Sequence, residues 1–297
     1  MFSAELLVQT LIAGIMIGVL YALMALGITF IYSIVKLINW AMGEFYMIGS
    51  YLQFALVAYL VGPDLWWLAV LLSALGVFAL GLLLEPLLIK PMFRPLLERR
   101  DDYATVVTIA LLLLLRSLAT ALAGPNQFRP ASDLPVITLG PLPQEGARVA
   151  AFVCALVAIA LFQLLIKKTW LGLALRAAAQ SRVGVQTSGV DILRLDQLAF
   201  GIGVALAGIA GALLAPVFLV FPTNGVVTTV KGFEIIVIGG LGSIPGALVG
   251  GLLLGIVESL GAAFISSPFQ NAYGFLLVLL VLLIRPTGLF GERARLA

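Results

Sequence analysis

Long apolar stretches, separated by short polar connections, follow one another along almost the whole chain. A helix that crosses a lipid bilayer needs roughly 20 mostly apolar residues. Eight stretches come close to that length: 6–33, 43–61, 65–89, 103–123, 149–166, 197–221, 246–264 and 270–284. The pattern therefore predicts an all-α membrane protein with about eight transmembrane helices and a lipid bilayer as its surroundings.

The first stretch lies where a cleavable signal peptide would also carry an apolar segment. It has no basic leading region, it follows Glu5, and residues 6–33 are too many for the apolar part of a signal peptide. We therefore expect a transmembrane helix at this position.

A further stretch, residues 222–245, is apolar but contains Gly239, Gly240, Gly242 and Pro245. Irregular backbone is tolerated at membrane depth only where protein or a water-filled cavity surrounds it. We therefore predict a discontinuous or re-entrant segment near 222–245.

Basic residues are concentrated in the connections 90–102 and 167–196 and in the segment 285–297, whereas the connection 124–148 holds only two. Basic residues favour the cytoplasmic side, so we place the first three segments inside and 124–148 outside. Three apolar stretches precede the connection 90–102, so an inside position for that connection puts the N-terminus outside. Eight crossings would then leave the C-terminus outside, in conflict with its arginines, so an irregular segment has to change the count. The first candidate is 222–245, as a half-crossing or a discontinuous helix.

The composition agrees with a membrane protein and excludes several functions. Hydrophobic residues make up 62% and charged residues 10% of the chain, against roughly 25% charged residues in soluble domains. There is no histidine, and Cys154 is the single cysteine, which excludes His or Cys metal sites, internal disulfides and histidine-based catalysis. The net charge of +3 is spread over several connections, so we expect neither a nucleic-acid partner nor a cofactor. The chain shows no linker, so we treat 1–297 as one domain.

Two short segments resemble each other. Residues 43–49 and 232–239 each place a glutamate, Glu44 or Glu234, five residues before a glycine as an apolar stretch begins. Transporters are often built from two structural repeats with glycine-interrupted segments at corresponding positions. The match favours a two-fold internal repeat, although a match this short also arises by chance in an apolar chain.

Polar residues inside apolar stretches are costly and indicate a functional site. Two candidates are Asn39 and Glu44, and three more are Asn224, Lys231 and Glu234. One interpretation is that they shape a translocation path or its gates. The other is that the carboxylates cap helix N-termini, where they meet the positive end of the helix dipole, or lie at the headgroup boundary.

Arg116 and Glu258 are also ionisable residues within apolar stretches. A long arginine side chain can reach the headgroups from within the bilayer, and Glu258 lies near the end of its stretch. We therefore expect structural positions for both.

The connection 167–196 has an amphipathic middle in which Arg176 and Gln180 are four residues apart. This pattern fits an ordinary basic loop. It also fits a short cytoplasmic helix that docks onto another protein.

Four segments together resemble the branched-chain amino-acid ABC permease family, of the LivH type. They are INWAMGEFYMIGSY at 38–51, Arg176–Ala177 with Gln180, KGFE at 231–234 running into GGLGSIPGA at 239–247, and RPTGLFG at 285–291. Their order and spacing agree from about residue 10 to 291. Trp40, Met42 and the pair Val183–Gly184 depart from the family pattern, which leaves the substrate open.

The resemblance implies a permease subunit in the bacterial inner (cytoplasmic) membrane. It further implies a second, homologous permease, two cytoplasmic ATP-binding subunits that hydrolyse ATP, and a periplasmic substrate-binding protein. This chain has no phosphate-binding Gly-x-x-x-x-Gly-Lys-Ser/Thr loop of its own. Its coupling surface for the ATPases would be formed by Arg176, Ala177, Gln180, Arg182 and Gly184.

Two alternatives remain. An ion-coupled secondary transporter would use Glu44 or Glu234 as a proton or cation site, and would also contain a broken segment and a repeat. A permease of the same family could also carry urea, short amides or other amino acids.

Overall fold

The computed structural model describes residues 4–93, 99–131, 134–139 and 142–291. The helices in these ranges are α1 (Ala4–Val35), α2 (Met42–Leu56), α3 (Trp66–Leu84), α4 (Arg100–Ala123), α5 (Gly146–Lys168), α6 (Trp170–Gln180), α7 (Arg182–Thr187), α8 (Ile192–Leu214), α9 (Asn224–Gly239), α10 (Ile244–Phe264) and α11 (Gln270–Ile284). Wider π-helical turns extend α2 through Val57–Val61 and α3 through Glu85–Ile89.

Within the described residues, eight helices are long and apolar enough to cross a membrane. They coincide with the eight predicted stretches, which confirms the predicted all-α membrane architecture. Among the described residues, the connection 124–148 also contains two short antiparallel strands. They are β1 (Ile137–Leu139) and β2 (Leu142–Gln144), with Ile137 opposite Gln144.

The core is centred on α1, which packs along α8 and α10. Glycines bring α1 and α10 together: a Cβ added at Gly255 would lie 2.4 Å from Gly18 Cα, and one at Gly251 would lie 2.6 Å from Ala22 Cα. Small residues let membrane helices approach to backbone contact, where dispersion attraction holds them. The outer helices α4 and α11 remain mostly exposed.

The segment 222–245 is more regular than predicted. Asn224–Gly239 is one continuous helix, and the interruption is confined to residues 240–243. There Gly240 and Gly242 adopt φ values of +100° and +80°, which favour glycine. The helix α10 then begins with Ser243 Oγ accepting a hydrogen bond from Gly246 N at 3.1 Å. The glycines therefore end α9 instead of breaking it.

Contacts between helix ends show which connections share a side of the molecule. Arg182 Nη1 donates to Ile34 O at 3.2 Å, Gln197 Nε2 donates to Leu82 O at 2.7 Å, and Leu289 N donates to Ile238 O at 2.9 Å. The ends of α1, α3 and α9, the start of α8 and the segment after α11 therefore lie together. We call this the basic side.

The other ends meet on the opposite side. Phe128 pairs with Val220 through two backbone hydrogen bonds of 2.8 Å, and Arg129 Nε donates to Pro216 O at 2.9 Å. The connections 124–148 and 215–223 therefore lie together, at the end of the molecule where α1 begins.

The short helix α9 resolves the predicted conflict in the number of crossings. Its 16 residues span about 24 Å at 1.5 Å per residue, half the length of α1. It ends level with α1 on the basic side, because Gly242 lies against the ring of Tyr32. It therefore begins about halfway along α1 and adds a ninth passage among the described helices. The N-terminal end and residues 285–291 consequently lie on different sides, while the predicted basic residues Arg94, Arg293 and Arg295 lie outside the described residues.

Candidate translocation site and coupling surface

A buried ion pair joins α9 to α10 in the interior. Lys231 Nζ contacts Glu258 Oε1, and the two side chains are 6% and 1% exposed. Tyr21 Oη on α1 donates to Glu258 Oε2 at 3.4 Å. Charges taken out of water are tolerated when they are paired and hydrogen-bonded, so these three groups hold each other in place.

A second carboxylate lies next to this pair. Glu234 follows Lys231 by three residues, and neither of its buried carboxylate oxygens has a hydrogen-bond partner among the described residues. A Cβ added at Gly274 on α11 would lie 2.6 Å from Glu234 Oε2 and 3.0 Å from Glu258 Oε1. The glycine therefore leaves room for two carboxylates beside one lysine.

A cavity of about 430 Å³ extends from Lys231 toward the opposite side. Its walls come from α1, α2, the end of α8, the connection 215–223, α9 and the start of α11. The α9 face that lines it carries Asn224, Thr228 and Lys231, with spacings of four and three residues that place them in one row. The other lining residues are mostly apolar, with Tyr21, Tyr46, Gln270 and Asn271 as the polar ones, and the row on α9 ends at the buried ion pair.

The first residue of this row carries an unused hydrogen-bond acceptor. Asn224 is 7% exposed, and its Nδ2 donates to Ser50 Oγ at 3.4 Å. Its Oδ1 has no partner among the described residues.

The predicted Glu44 lies elsewhere, at the start of α2. Its Oε1 accepts a hydrogen bond from Arg116 Nη2 at 3.2 Å, and nearby Thr229 Oγ1 accepts one from Gly43 N at 3.1 Å. Glu44 therefore holds the outer helix α4, and Arg116 is drawn inward to it, so that the predicted reach toward the headgroups is wrong.

Asn39 also lies away from the cavity walls. Its Oδ1 accepts a hydrogen bond from Ala41 N at 3.0 Å, which shapes the turn into α2. The neighbouring Trp40 packs against Phe233 of α9, with ring centroids 4.8 Å apart and the rings tilted by 50°.

The connection 167–196 contains two short helices on the basic side. Thr169 caps α6 by accepting from Gly172 N at 3.0 Å, and Ser181 caps α7 by accepting from Gly184 N at 3.1 Å. Such caps satisfy N–H groups that a helix start leaves unpaired. The predicted coupling residues Arg176, Gln180 and Gly184 are exposed on this surface, and Ala177 is half-buried.

Arg182 fastens this surface to the membrane helices. Its guanidinium binds both carboxylate oxygens of Asp196 at 3.1 and 2.5 Å and donates to Ile34 O at 3.2 Å. Asp196 is fully buried near the start of α8. A two-pronged arginine–carboxylate contact fixes orientation as well as distance, so α7, α8 and the end of α1 are held as one unit.

The sequence was compared with known protein families and proteins. A model of the family described as "Branched-chain amino acid transport system / permease component" matches residues 10–284. The chain belongs to this permease family. It is 31% identical to the permease protein LivH of Escherichia coli (strain K12), over 96% of this chain and 95% of the relative. No solved structure matched.

Two other relatives belong to the same kind of transport system. The permease protein BraD of Pseudomonas aeruginosa is 32% identical over 96% of this chain and 95% of its own. The permease protein LivM of Salmonella typhimurium is 27% identical over 91% of this chain and 67% of its own. All three relatives are named as parts of high-affinity branched-chain amino acid transport systems.

In this member of the permease family, three of the five predicted path residues lie together: Asn224 and Lys231 line the cavity, and Glu234 lies beneath it. Asn39 and Glu44 do not join them. The sequence did not reveal Glu258 as the partner of Lys231. The sequence did show Glu258 as an acidic residue in an apolar stretch. Because it lies near the end of that stretch, we expected a structural position and not a buried ion pair.

Proposed function

We propose that this permease is the membrane-spanning subunit of an ATP-driven ABC importer for branched-chain or related amino acids. We place it in the bacterial inner (cytoplasmic) membrane. The observation that carries the proposal is the family match over residues 10–284, which includes both the cavity and the basic-side surface. The eight membrane-length helices agree with the location.

Work in such a transporter would be divided among several proteins. Two ATP-binding subunits would dock on the basic side, a substrate-binding protein on the opposite side, and a second, homologous permease would complete the path. The similarity of this chain to both LivH and LivM relatives supports the pairing of two related permeases. The positive-inside tendency supports a cytoplasmic position for the basic side.

The translocation path would pass through the cavity and along α9. Asn224 and Lys231 would line it, with Glu234 beneath. Asn39 and Glu44 would act indirectly, because they fix the start of α2, which packs against α9.

The coupling surface would consist of α6 and α7, with Arg176, Ala177, Gln180 and Gly184 facing or supporting the ATPase. Arg182 would transmit movement, because its contacts with Asp196 and Ile34 O join α7 to two core helices. A conformational change requires that the partner bind the two states differently, and this fastened surface could offer such a difference.

One observation favours a second candidate, an ion-coupled transporter. Two buried carboxylates beside one lysine form a group that could carry a proton, as intramembrane carboxylates do in pumps and transporters.

Leucine uptake in cells with and without the gene would separate the two candidates. Cells would be treated with a protonophore while ATP is maintained, or depleted of ATP while the gradient is kept. The proposal predicts gene-dependent uptake that survives the protonophore and stops without ATP. Uptake that stops with the gradient alone would identify an ion-coupled transporter, and ATP-dependent uptake of urea or amides without leucine uptake would change the substrate.

A further inference from the structure

The two ends of the cavity beside α9 carry different polar groups, which a passage without substrate contacts would not require. The row of Asn224, Thr228 and Lys231 begins with hydrogen-bond acceptors and ends with a cation. The surrounding walls are mostly apolar, with Met24 and Phe218 among them, and also include the polar side chains of Tyr21, Tyr46, Gln270 and Asn271. Small-molecule sites commonly combine apolar walls with a few placed polar groups, in volumes of roughly 300–1,000 Å³, and this cavity of about 430 Å³ falls in that range.

The acceptor end of the row is formed by Asn224 and Thr228. Asn224 Nδ2 is occupied by Ser50 Oγ, whereas Oδ1 has no partner among the described residues. Thr228 Oγ1 donates its hydrogen to Asn224 O at 2.9 Å and accepts a hydrogen bond from the Tyr46 hydroxyl, so one lone pair remains for another group. A buried acceptor without a partner is unfavourable, and a ligand that donates to Asn224 Oδ1 would remove this cost.

The other end of the row is formed by Lys231. Its ammonium group contacts Glu258 Oε1, but an ammonium group has three N–H donors. The remaining donors can serve an anion that approaches from the cavity. Glu234 and Glu258 lie on the other side of the lysine, against Gly274.

We propose that this cavity is a binding site for the zwitterionic head group of an amino acid. The carboxylate binds Lys231, the ammonium donates to Asn224 Oδ1, and an aliphatic side chain packs against the apolar walls. The inference rests on the proposed function and deepens it, because it gives the permease substrate contacts of its own in addition to those of a binding protein.

Direct binding of radiolabelled leucine tests the site separately from transport. The complete complex of both permeases and both ATPases is placed in lipid nanodiscs without the substrate-binding protein. Asn224→Leu removes the acceptor. The double variant Lys231→Gln with Glu258→Gln removes the cation together with the carboxylate that it contacts, and Glu234 is left unchanged. Gln53→Leu is the matched control, because Gln53 is 1% exposed, has an unpartnered Oε1 and lies outside the cavity walls.

We expect saturable leucine binding to the unaltered complex. Affinity should fall by roughly tenfold or more in Asn224→Leu and in the double variant, since loss of one buried hydrogen bond or charge contact has about this effect, and should be unchanged in Gln53→Leu. Absence of saturable binding, in a complex that imports leucine with ATP once it is reconstituted in vesicles with the substrate-binding protein, would overturn this inference and leave the proposed function intact. Equal affinity in all variants would overturn it as well.

Discussion

At the scale of single residues, Lys231 and Glu258 form an ion pair in the interior in which both side chains are buried. Breaking a buried pair by removing one partner costs about 3–5 kcal/mol, whereas replacing both partners by apolar residues of similar volume is often neutral. The stability of the chain should therefore depend more on keeping the pair matched than on keeping it charged.

We expect Lys231→Met and Glu258→Met each to lower the free energy of unfolding by about 3–5 kcal/mol, and the double variant to lose less than either. Titration with SDS of the purified chain in mixed micelles would measure these values. Additive losses would show that the two side chains do not compensate each other's charge.

Arg182 and Asp196 form a further ion pair, in which Asp196 is fully buried. We expect Arg182→Met to reduce ATP-dependent uptake at least tenfold, because it releases α7 from α1 and α8, and we expect exchange of the two residues to restore part of it. The matched control is Arg194→Met, since Arg194 pairs with Asp191 at 3.1 Å with side chains 83% and 52% exposed. Exposed pairs contribute little, so equal effects of the two arginine variants would contradict this role.

The sequence pointed to individual polar residues but not to their partners. Asn224, Lys231 and Glu234 could be recognised because each interrupts an apolar stretch. Lys231 and Glu258 are 27 positions apart on different helices, and their contact depends on how α9 and α10 pack. That packing depends on glycine contacts whose geometry no local pattern reveals.

At the scale of elements, glycine decides how closely helices approach. The contact between α1 and α10 has no room for a side chain at Gly255, where a Cβ would lie 2.4 Å from Gly18 Cα. The eight long helices were predictable because length and hydropathy suffice. The course of α9 was not, because the glycines that end it were interpreted as interruptions within it.

We expect Gly255→Ala to lower the free energy of unfolding by about 1–3 kcal/mol, the usual cost of overpacking, because backbone would have to move. Gly76→Ala on α3 is the control, since the nearest atom there is the flexible end of Leu52 at 3.1 Å. The same SDS titration measures both, and a Gly255→Ala variant as stable as the control would show that the contact can relax.

At the scale of the whole molecule, α9 makes the number of membrane passages agree with the side on which the basic C-terminal segment lies. The number of long helices alone could not settle where the C-terminal segment lies, because α9 is too short to be recognised by length. The contacts of Leu289 and Phe290 with Ile238 and Gly239 place residues 285–291 with the end of α9.

Labelling of single cysteines can test this arrangement in intact cells. In a Cys154→Ala background, Asn126→Cys on the opposite side should react with a membrane-impermeant maleimide. Gln180→Cys on the basic side should react only after permeabilisation. Both positions are exposed, so the reverse pattern would show that the molecule is inverted in the membrane.

Because α9 begins about halfway along α1, only part of the protein has to move to open a path across the membrane. On the proposed path, a solute in the cavity has passed the first half of the membrane thickness before it meets Lys231. From Lys231 to the end of α9 at Gly239, eight steps of 1.5 Å leave a closed barrier of only about 12 Å. A barrier this thin can be opened by a small tilt or slide of α9 against its neighbours, without separation of the two halves of the molecule.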